Sequence, residues 1–206
     1  MPRELDELNK LEYSEDFYEE YFGEMELDEK EKEKRISLAK QLETLFLFFL
    51  FAYSEQHDMD YKAMIYEKYI IIALEFLKRN TVPEYIDDYA KKLASDVVRT
   101  TQSHDGEEFY TSKERGMLLS ANEANTLGNY NQHIQAIKSG MRYKTWRTER
   151  DNKVRKTHKE IDGMTVGIFE PFQVGDSLMM FARDLETYGA SMEEVANCRC
   201  VVQYSK

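Results

Sequence analysis

Apolar residues in the first third of the chain recur at the three- and four-residue spacing of one helix face. The set that follows Asp28 is Ile36, Leu38, Ala39, Leu42, Leu45 and Phe46. Asp28 is a suitable N-cap, and glutamate and lysine side chains three and four residues apart can pair after it. The pattern predicts a helix from about residue 28 to about residue 56, whose apolar run 45–53 is buried or faces a partner.

Two more helices are predicted in the first half of the chain. Residues 61–77 are apolar on nearly every side, which predicts a helix packed in the interior. Pro83 interrupts that pattern, and a third helix is predicted with Thr81 as its N-cap and with its end near Ser103. A turn at residues 104–106 follows, where we expect a boundary.

The second half begins with a long helix and then changes character. Residues 111–140 have helical spacing, with Gly140 at the position of a left-handed C-cap. Residues 141–148 alternate between apolar and polar, which predicts a strand, and 164–169 and 198–204 predict two more. Residues 151–160 predict a short helix or a tight loop.

These elements predict an α+β protein that is mostly helical. Residues 1–105 are expected to form a helical region, with an acidic N-terminal arm and about three helices. Residues 106–206 are expected to form a small C-terminal domain in which the long helix precedes a short antiparallel sheet. Residues 2–22 are weakly amphipathic, which fits either a helix or a segment that orders only on docking.

Composition adds an uneven distribution of charge. The 206 residues carry a net charge of -11, and 42% of them are hydrophobic, enough to fill a core. Residues 1–30 contain twelve acidic and three basic side chains, whereas residues 138–159 contain nine basic and two acidic ones. The basic stretch can approach an anion, or it can simply be a solvated loop.

Cys198 and Cys200 are the two cysteines of the chain. One residue between them is a poor spacing for a mutual disulfide, because neighbouring side chains on a strand alternate between faces. The pair therefore indicates a reducing compartment or a metal site. The N-terminus lacks the apolar core of a signal peptide, and the run 45–53 is about half of what a bilayer requires, so no membrane partner is expected.

The last third of the chain carries a spaced motif. It contains Trp146, Thr148, Asp151, Val154, Arg155, His158, Asp162, Gly163 and the closing segment Asn197-Cys198-Arg199-Cys200. This motif resembles the phage head morphogenesis family, the Mu F-like minor capsid proteins. The resemblance covers roughly residues 112–203, because residues 119–125 and Asn129 are similar to the helix that precedes the tryptophan in that family.

The resemblance implies a minor capsid or head morphogenesis protein of a tailed bacteriophage or prophage, without enzymatic activity. Its expected partners are the portal protein and a scaffold or major capsid protein, with double-stranded DNA as a further candidate. Its expected location is the capsid interior of the virion, after assembly in the host cytoplasm. In this interpretation Trp146 packs in the small core, Asp151, Arg155 and His158 hold the loop, and the segment from Asn197 to Cys200 closes it.

A structural zinc is a further hypothesis for the same motif. His158, Cys198 and Cys200 are suitable ligands, and many members of the family have additional cysteine or histidine residues nearby. Here Arg155 occupies one of those positions, and Glu194-Val-Ala196 replaces a His-Pro pair. These departures favour a hydrogen-bonded cluster over a metal, so no cofactor is expected and zinc stays open.

The basic stretch suggests a nucleic-acid surface. Its candidate residues are Lys144, Arg147, Arg150, Lys153, Lys156 and Lys159. Tyr143 and Trp146 lie among them, so phosphate contacts and base stacking are both conceivable. The overall negative charge is unlike that of a dedicated nucleic-acid-binding protein, and a solvated or portal-facing loop is the alternative.

Catalysis is the rival interpretation of the motif. A histidine beside Asp151, Lys153 and Arg155 has the groups of a metal-independent nuclease, in which His158 would act as the base. A phage-borne nuclease or a toxin-like effector is therefore the alternative function. Glycine-rich phosphate loops and nucleophile motifs are absent from the sequence, which favours a structural role for His158.

Overall fold

The computed structural model describes residues 16–23 and 25–206. The helices are α1 (16–23), α2 (Glu29–Ser54), α3 (Tyr61–Leu77), α4 (Glu84–Ser103), α5 (Lys113–Lys138), α6 (Lys156–Glu160) and α7 (Met192–Val195), with a 3-10 turn at Glu108–Thr111. The strands are β1 (Tyr143–Arg147), β2 (Thr165–Gly167), β3 (Phe172–Val174), β4 (Ser177–Met179) and β5 (Val201–Ser205). The structure is 58% helical with a small antiparallel sheet in its C-terminal part, which confirms the predicted class. Of the predicted amphipathic segment 2–22, residues 2–15 lie outside the described residues.

Local capping chemistry sets the ends of the long helices. The side chain of Asp28 accepts a hydrogen bond from the backbone N–H of Glu31 at 2.9 Å, so the predicted cap of α2 is confirmed. Gly140 follows α5 with a φ of +68°, as its predicted C-cap role requires. The predicted cap at Thr81 is wrong, because α4 starts one residue after Pro83, which occupies the N-cap position without a side-chain bond.

The helices share one apolar core. Helix α5 packs chiefly against α2, and α3 lies against both α2 and α4. Buried apolar side chains form a continuous cluster from Tyr18 of α1 to Val202 of β5. The division of the chain into regions 1–105 and 106–206 stays a prediction.

The sheet brings distant parts of the chain together. Its strand order is β2-β1-β5, and both pairings are antiparallel. Trp146 on the central strand lies opposite Val202 on β5. The segment that carries the two cysteines leads directly into β5, so β1 and the end of the motif lie side by side.

A second, two-stranded sheet was not predicted from the sequence. Strands β3 and β4 form a hairpin joined by Gly175 and Asp176. Gly175 has a φ of +56°, and a Cβ atom there would lie 2.5 Å from Oε1 of Glu194. The hairpin therefore needs glycine at this turn, both for the backbone conformation and for the approach of Glu194.

Helix α2 is long and apolar enough, by length and composition alone, to cross a membrane. Half of its apolar window is buried inside the fold, as in a core helix that passes the same test. The expectation from the sequence, that the apolar segment is too short to cross a bilayer, concerned the run 45–53 and not the whole of α2. The absence of a membrane partner stays a prediction.

Candidate functional site

Three asparagine side chains on α5 hold the segment that precedes β5. Asn122, Asn125 and Asn129 are three and four residues apart, so they share one face of the helix. The amide of Asn122 donates to Oδ1 of Asn197 at 2.8 Å. The amide of Asn125 donates to the carbonyl of Cys198 at 3.2 Å, and the amide of Asn129 donates to that of Cys200 at 3.2 Å. The cysteine-bearing segment is thus fixed by its backbone carbonyls.

Two of these asparagines accept hydrogen bonds from a buried arginine of α2. Arg35 is fully buried, and its Nη1 and Nη2 donate to the side-chain oxygens of Asn125 and Asn129. Nη2 also donates to Gln132 at 2.8 Å, and Nε lies 3.4 Å from a carboxylate oxygen of Glu31. Arg35 lies in the N-terminal helical region, so this region takes part in building the site.

A second buried arginine supports the segment from its other side. Arg183 donates from Nη1 to Asn122 at 3.0 Å and to the carbonyl of Val195 at 2.8 Å. Its charge is balanced by Glu123, 3.6 Å away, which also accepts hydrogen bonds from the hydroxyls of Tyr69 and Tyr89. Such a buried charge network is stable only because its members are mutually satisfied.

Trp146 lies at the centre of the C-terminal core, as predicted. Its side chain is fully buried. Its ring meets the rings of Phe172 and His158 edge to face, at centroid distances of 5.2 and 5.6 Å. The indole ring of Trp146 therefore packs directly against the imidazole of His158.

His158 and the two cysteines form a buried cluster. Nδ1 of His158 lies 3.3 Å from the sulfur of Cys200 and 3.6 Å from that of Cys198. Nε2, on the other side of the ring, lies 3.0 Å from Oε2 of Glu194, which also accepts from the hydroxyl of Thr157 at 2.8 Å. A carboxylate accepts hydrogen bonds, so Nε2 carries the proton and Nδ1 faces the sulfurs.

The cluster shifts the acidity of its own members. The hydrogen bond from the Cys200 thiol, together with His158, holds the pKa of Cys198 well below its usual value against the effect of burial. The same hydrogen bond and burial raise the pKa of Cys200. Burial lowers the pKa of His158, but the negative charges of Cys198 and Glu194 outweigh it and the net direction is upward. The two thiols therefore titrate as a coupled pair beside the imidazole.

The remaining motif residues tie the loop after β1 to the same segment. A carboxylate oxygen of Asp151 accepts from the backbone N–H groups of Lys153 and Val154, and the other oxygen bonds to Arg199. The guanidinium of Arg155 donates to the carbonyl of Ala196. The loop is therefore joined to the segment at several points, the arrangement that the hydrogen-bonded interpretation expected.

The predicted nucleic-acid residues separate into three groups, and Lys144 must be removed from the set. Lys144 is fully buried, and its ammonium donates to the carbonyl of Met180 at 2.7 Å and lies over the ring of Phe172. Burial lowers its pKa to about 8. A phosphate group cannot reach this ammonium without unfolding the sheet around it.

Arg147 and Arg150 have partners within the fold. Both lie beside Glu26, at 3.3 and 3.2 Å, and Nε of Arg150 also lies 2.9 Å from Asp162. The last group, Lys153, Lys156 and Lys159, is exposed on and before α6. Lys156 lies 3.8 Å from Glu160 but its side chain is 90% exposed, so all three lysines of this group can reach an external anion.

Comparison with known proteins identifies the chain. The sequence model of the family described as Phage Mu protein F like protein matches residues 84–203, more than half of the chain. The chain belongs to this family. Searches of the curated proteins and of the solved structures each gave no match.

Membership confirms the resemblance and places this Mu F-like protein among the phage head morphogenesis proteins, whose partners are other capsid components. The match begins at residue 84 rather than near 112, so it includes α4 as well as the spaced motif. Arg35 lies outside the matched part and yet bonds to two asparagines inside it. Helix α2 therefore contributes a buried side chain to the hydrogen-bond network of the matched region.

Sequence reasoning missed the polar residues that hold the segment, above all Arg35, Asn125 and Arg183. The asparagine spacing along α5 was a usable signal, because polar side chains on a core-facing helix stripe require partners. Arg35 gave no such signal, since it follows a run of alternating glutamates and lysines that is typical of a solvated helix face.

Proposed function

We propose that this Mu F-like protein is a minor capsid protein of a tailed bacteriophage or prophage that acts in procapsid assembly. It is assembled in the host cytoplasm and resides in the capsid interior, in contact with the portal protein and with a scaffold or major capsid protein. The observation that carries the proposal is the family match over residues 84–203.

An exposed aromatic face on α2 supports a protein partner. Phe48 and Phe51 are three residues apart on the helix and are 49% and 58% exposed. Large apolar side chains next to each other on a surface are characteristic of interaction sites, where aromatic residues often dominate binding. We assign this pair to the contact with another capsid component.

The lysines of the α6 region support a contact with packaged double-stranded DNA. Lys153, Lys156 and Lys159 offer three charges within seven residues, and each neutralised phosphate makes binding more sensitive to salt. The net charge of -11 limits such a contact to this local patch. Loss of a gel shift with short duplex DNA at low salt in the triple alanine variant would support it, whereas no shift with the original protein would refute it.

A non-enzymatic role is part of the proposal. His158 is 1% exposed, and both of its ring nitrogens face groups of the protein. This environment favours a structural histidine over the base of a nuclease. Replacing His158 by alanine tests the rival function, because a catalytic role predicts an intact fold with nuclease activity removed, and a structural role predicts lowered stability.

The decisive experiment is genetic and uses the phage or prophage that encodes the chain. Deletion of the gene is expected to leave few complete heads, and mass spectrometry of purified particles from the complemented strain is expected to find the protein. A variant with Phe48 and Phe51 replaced by serine should fold but not enter particles. Phe109→Ser, which changes an equally exposed phenylalanine outside α2, is the matched control. Normal particle yield in the deletion strain, or particles that lack the protein, would overturn the proposal.

A further inference from the structure

Three ligand atoms of the buried cluster have the spacing that a metal ion would impose. Nδ1 of His158 and the sulfurs of Cys198 and Cys200 all lie within 4.8 Å of one another. With Zn–S bonds of about 2.3 Å and Zn–N bonds of about 2.0 Å, a tetrahedral ion places a nitrogen and a sulfur ligand about 3.5 Å apart. The observed distances of 3.3 and 3.6 Å agree with that edge.

The orientation of the histidine is a second observation that favours a metal. The hydrogen bond to Glu194 holds the proton of the neutral ring on Nε2, so the neutral imidazole directs the lone pair of Nδ1 at the sulfurs. Metal-binding histidines commonly donate their other ring nitrogen to a carboxylate, which fixes the tautomer and strengthens the ligand. The turn at Gly175 and the hydroxyl of Thr157 position Glu194 for this task.

Among the described residues no fourth ligand atom belongs to the 4.8 Å group, so a further ligand has to turn in from the surroundings. A cavity of about 20 Å³ lies between the three ligand residues and the loop after β1, and Glu149 is the acidic residue that lines it. The side chain of Glu149 is 1% exposed, and one of its oxygens lies 3.7 Å from Arg199.

We propose that His158, Cys198 and Cys200 bind one structural zinc ion, with the carboxylate of Glu149 in the fourth position. Binding releases to solvent every proton that the two thiols and Nδ1 of His158 still carry, and it forms two zinc–sulfur bonds, one zinc–nitrogen bond and one zinc–oxygen bond. The ion joins α6 and the loop after β1 to the segment that precedes β5. The site is buried and closed, as in structural zinc sites, so no open position for catalysis is expected.

Arg155 also lines this cavity, but its guanidinium binds the carbonyl of Ala196. Glu149 would supply the fourth ligand, and Glu194 is the outer partner of the histidine. The inference does not depend on the role in head assembly.

Elemental analysis of the full chain, produced with zinc in the medium and purified without chelators, tests the proposal. About one zinc per chain is expected, with loss of most of the metal in the Cys198→Ser, Cys200→Ser and His158→Gln variants. The matched control is His133→Gln. It changes a buried histidine that is outside the proposed ligand set, so this variant should retain the metal. Glu149→Gln should bind zinc at least about tenfold more weakly in competition with a colorimetric chelator, and an unchanged affinity would overturn the assignment of the fourth ligand.

Two measurements on the unaltered protein keep the test valid if the ligand variants do not fold. Replacement of zinc by cobalt(II) should give thiolate-to-cobalt charge-transfer absorption. Removal of the ion with a strong chelator should lower the Tm by at least about 5 °C, reversibly on adding zinc. Less than a tenth of an atom of zinc per chain, also after incubation with zinc and dialysis, would overturn the proposal.

Discussion

Replacement of Asn125 by alanine is the most direct test of the polar network between α2, α5 and the cysteine segment. The change removes the acceptor for Nη1 of Arg35 and the donor to the carbonyls of Cys198 and Cys200. It leaves a guanidinium and a carbonyl group buried with fewer partners, in a region that water does not reach.

The expected cost follows from these contacts. A hydrogen bond to a charged group contributes about 1.5–3 kcal/mol, and a neutral one about 0.5–1.5 kcal/mol. The free energy of unfolding should therefore fall by about 2–4 kcal/mol, since the bond to Cys200 is long at 3.5 Å and adds little. In a chain of 206 residues this corresponds to a decrease in Tm of roughly 5–15 °C.

Urea unfolding followed by circular dichroism measures this loss. Asn131→Ala is the matched control, because Asn131 lies on the same helix, is only half-buried and has one long contact to Gln135 at 3.5 Å. The control should change stability by less than about 0.5 kcal/mol. If both variants lost the same small amount, the network would contribute little and the reasoning would be wrong.

Three other changes probe separate features. Gly128→Ala places a Cβ atom 2.5 Å from Nε of Arg35 and should cost about 1–3 kcal/mol in urea unfolding. Gly116→Ala meets the end of the Leu47 side chain, with Cδ2 at 2.6 Å and Cγ at 3.3 Å, and should be nearly neutral because that end can turn aside; equal effects of the two changes would contradict this. Trp146→Ala removes the largest fully buried side chain and should cost about 3–5 kcal/mol by the same assay, so a loss below 1 kcal/mol would show that the ring is dispensable. Burial lowers the pKa of His133 to about 4, so below pH 6.5 the unfolded chain takes up a proton that the folded chain does not, and stability should fall as the pH decreases from 6.5 to 4. His133→Gln should reduce that fall in Tm measured across the same pH range, and an unchanged slope would refute it.

Features controlled by neighbouring residues were predictable from the sequence. Asp28 and Gly140 mark helix ends because capping depends on one side chain or one backbone conformation. The β3–β4 hairpin was missed because its strands have three residues each, too few for an alternating pattern to stand out, although Gly175 followed by Asp176 is a turn signal.

The burial of Lys144 could have been predicted from its position on the strand. Residues two apart on a strand point to the same face, so a core position for Trp146 implies the same face for Lys144. Its assignment to a nucleic-acid surface conflicted with that rule, and the structure places it in the interior. The partners of His158, in contrast, come from residues 194–200 and could be paired with it only through the fold.

The guanidinium of Arg35 also has a consequence for the alignment of α2 on α5. Apolar side chains along the two helices could interdigitate almost as well after a slip of one turn, about 5.4 Å. Such a slip would carry the arginine away from Asn129 and its neighbours and leave a positive charge in hydrocarbon surroundings, at a cost of several kcal/mol. We therefore expect Arg35→Met to keep its helical content but to lose the sharp NMR resonances of a single register, and sharp, well-dispersed resonances in that variant would show that packing alone aligns the two helices.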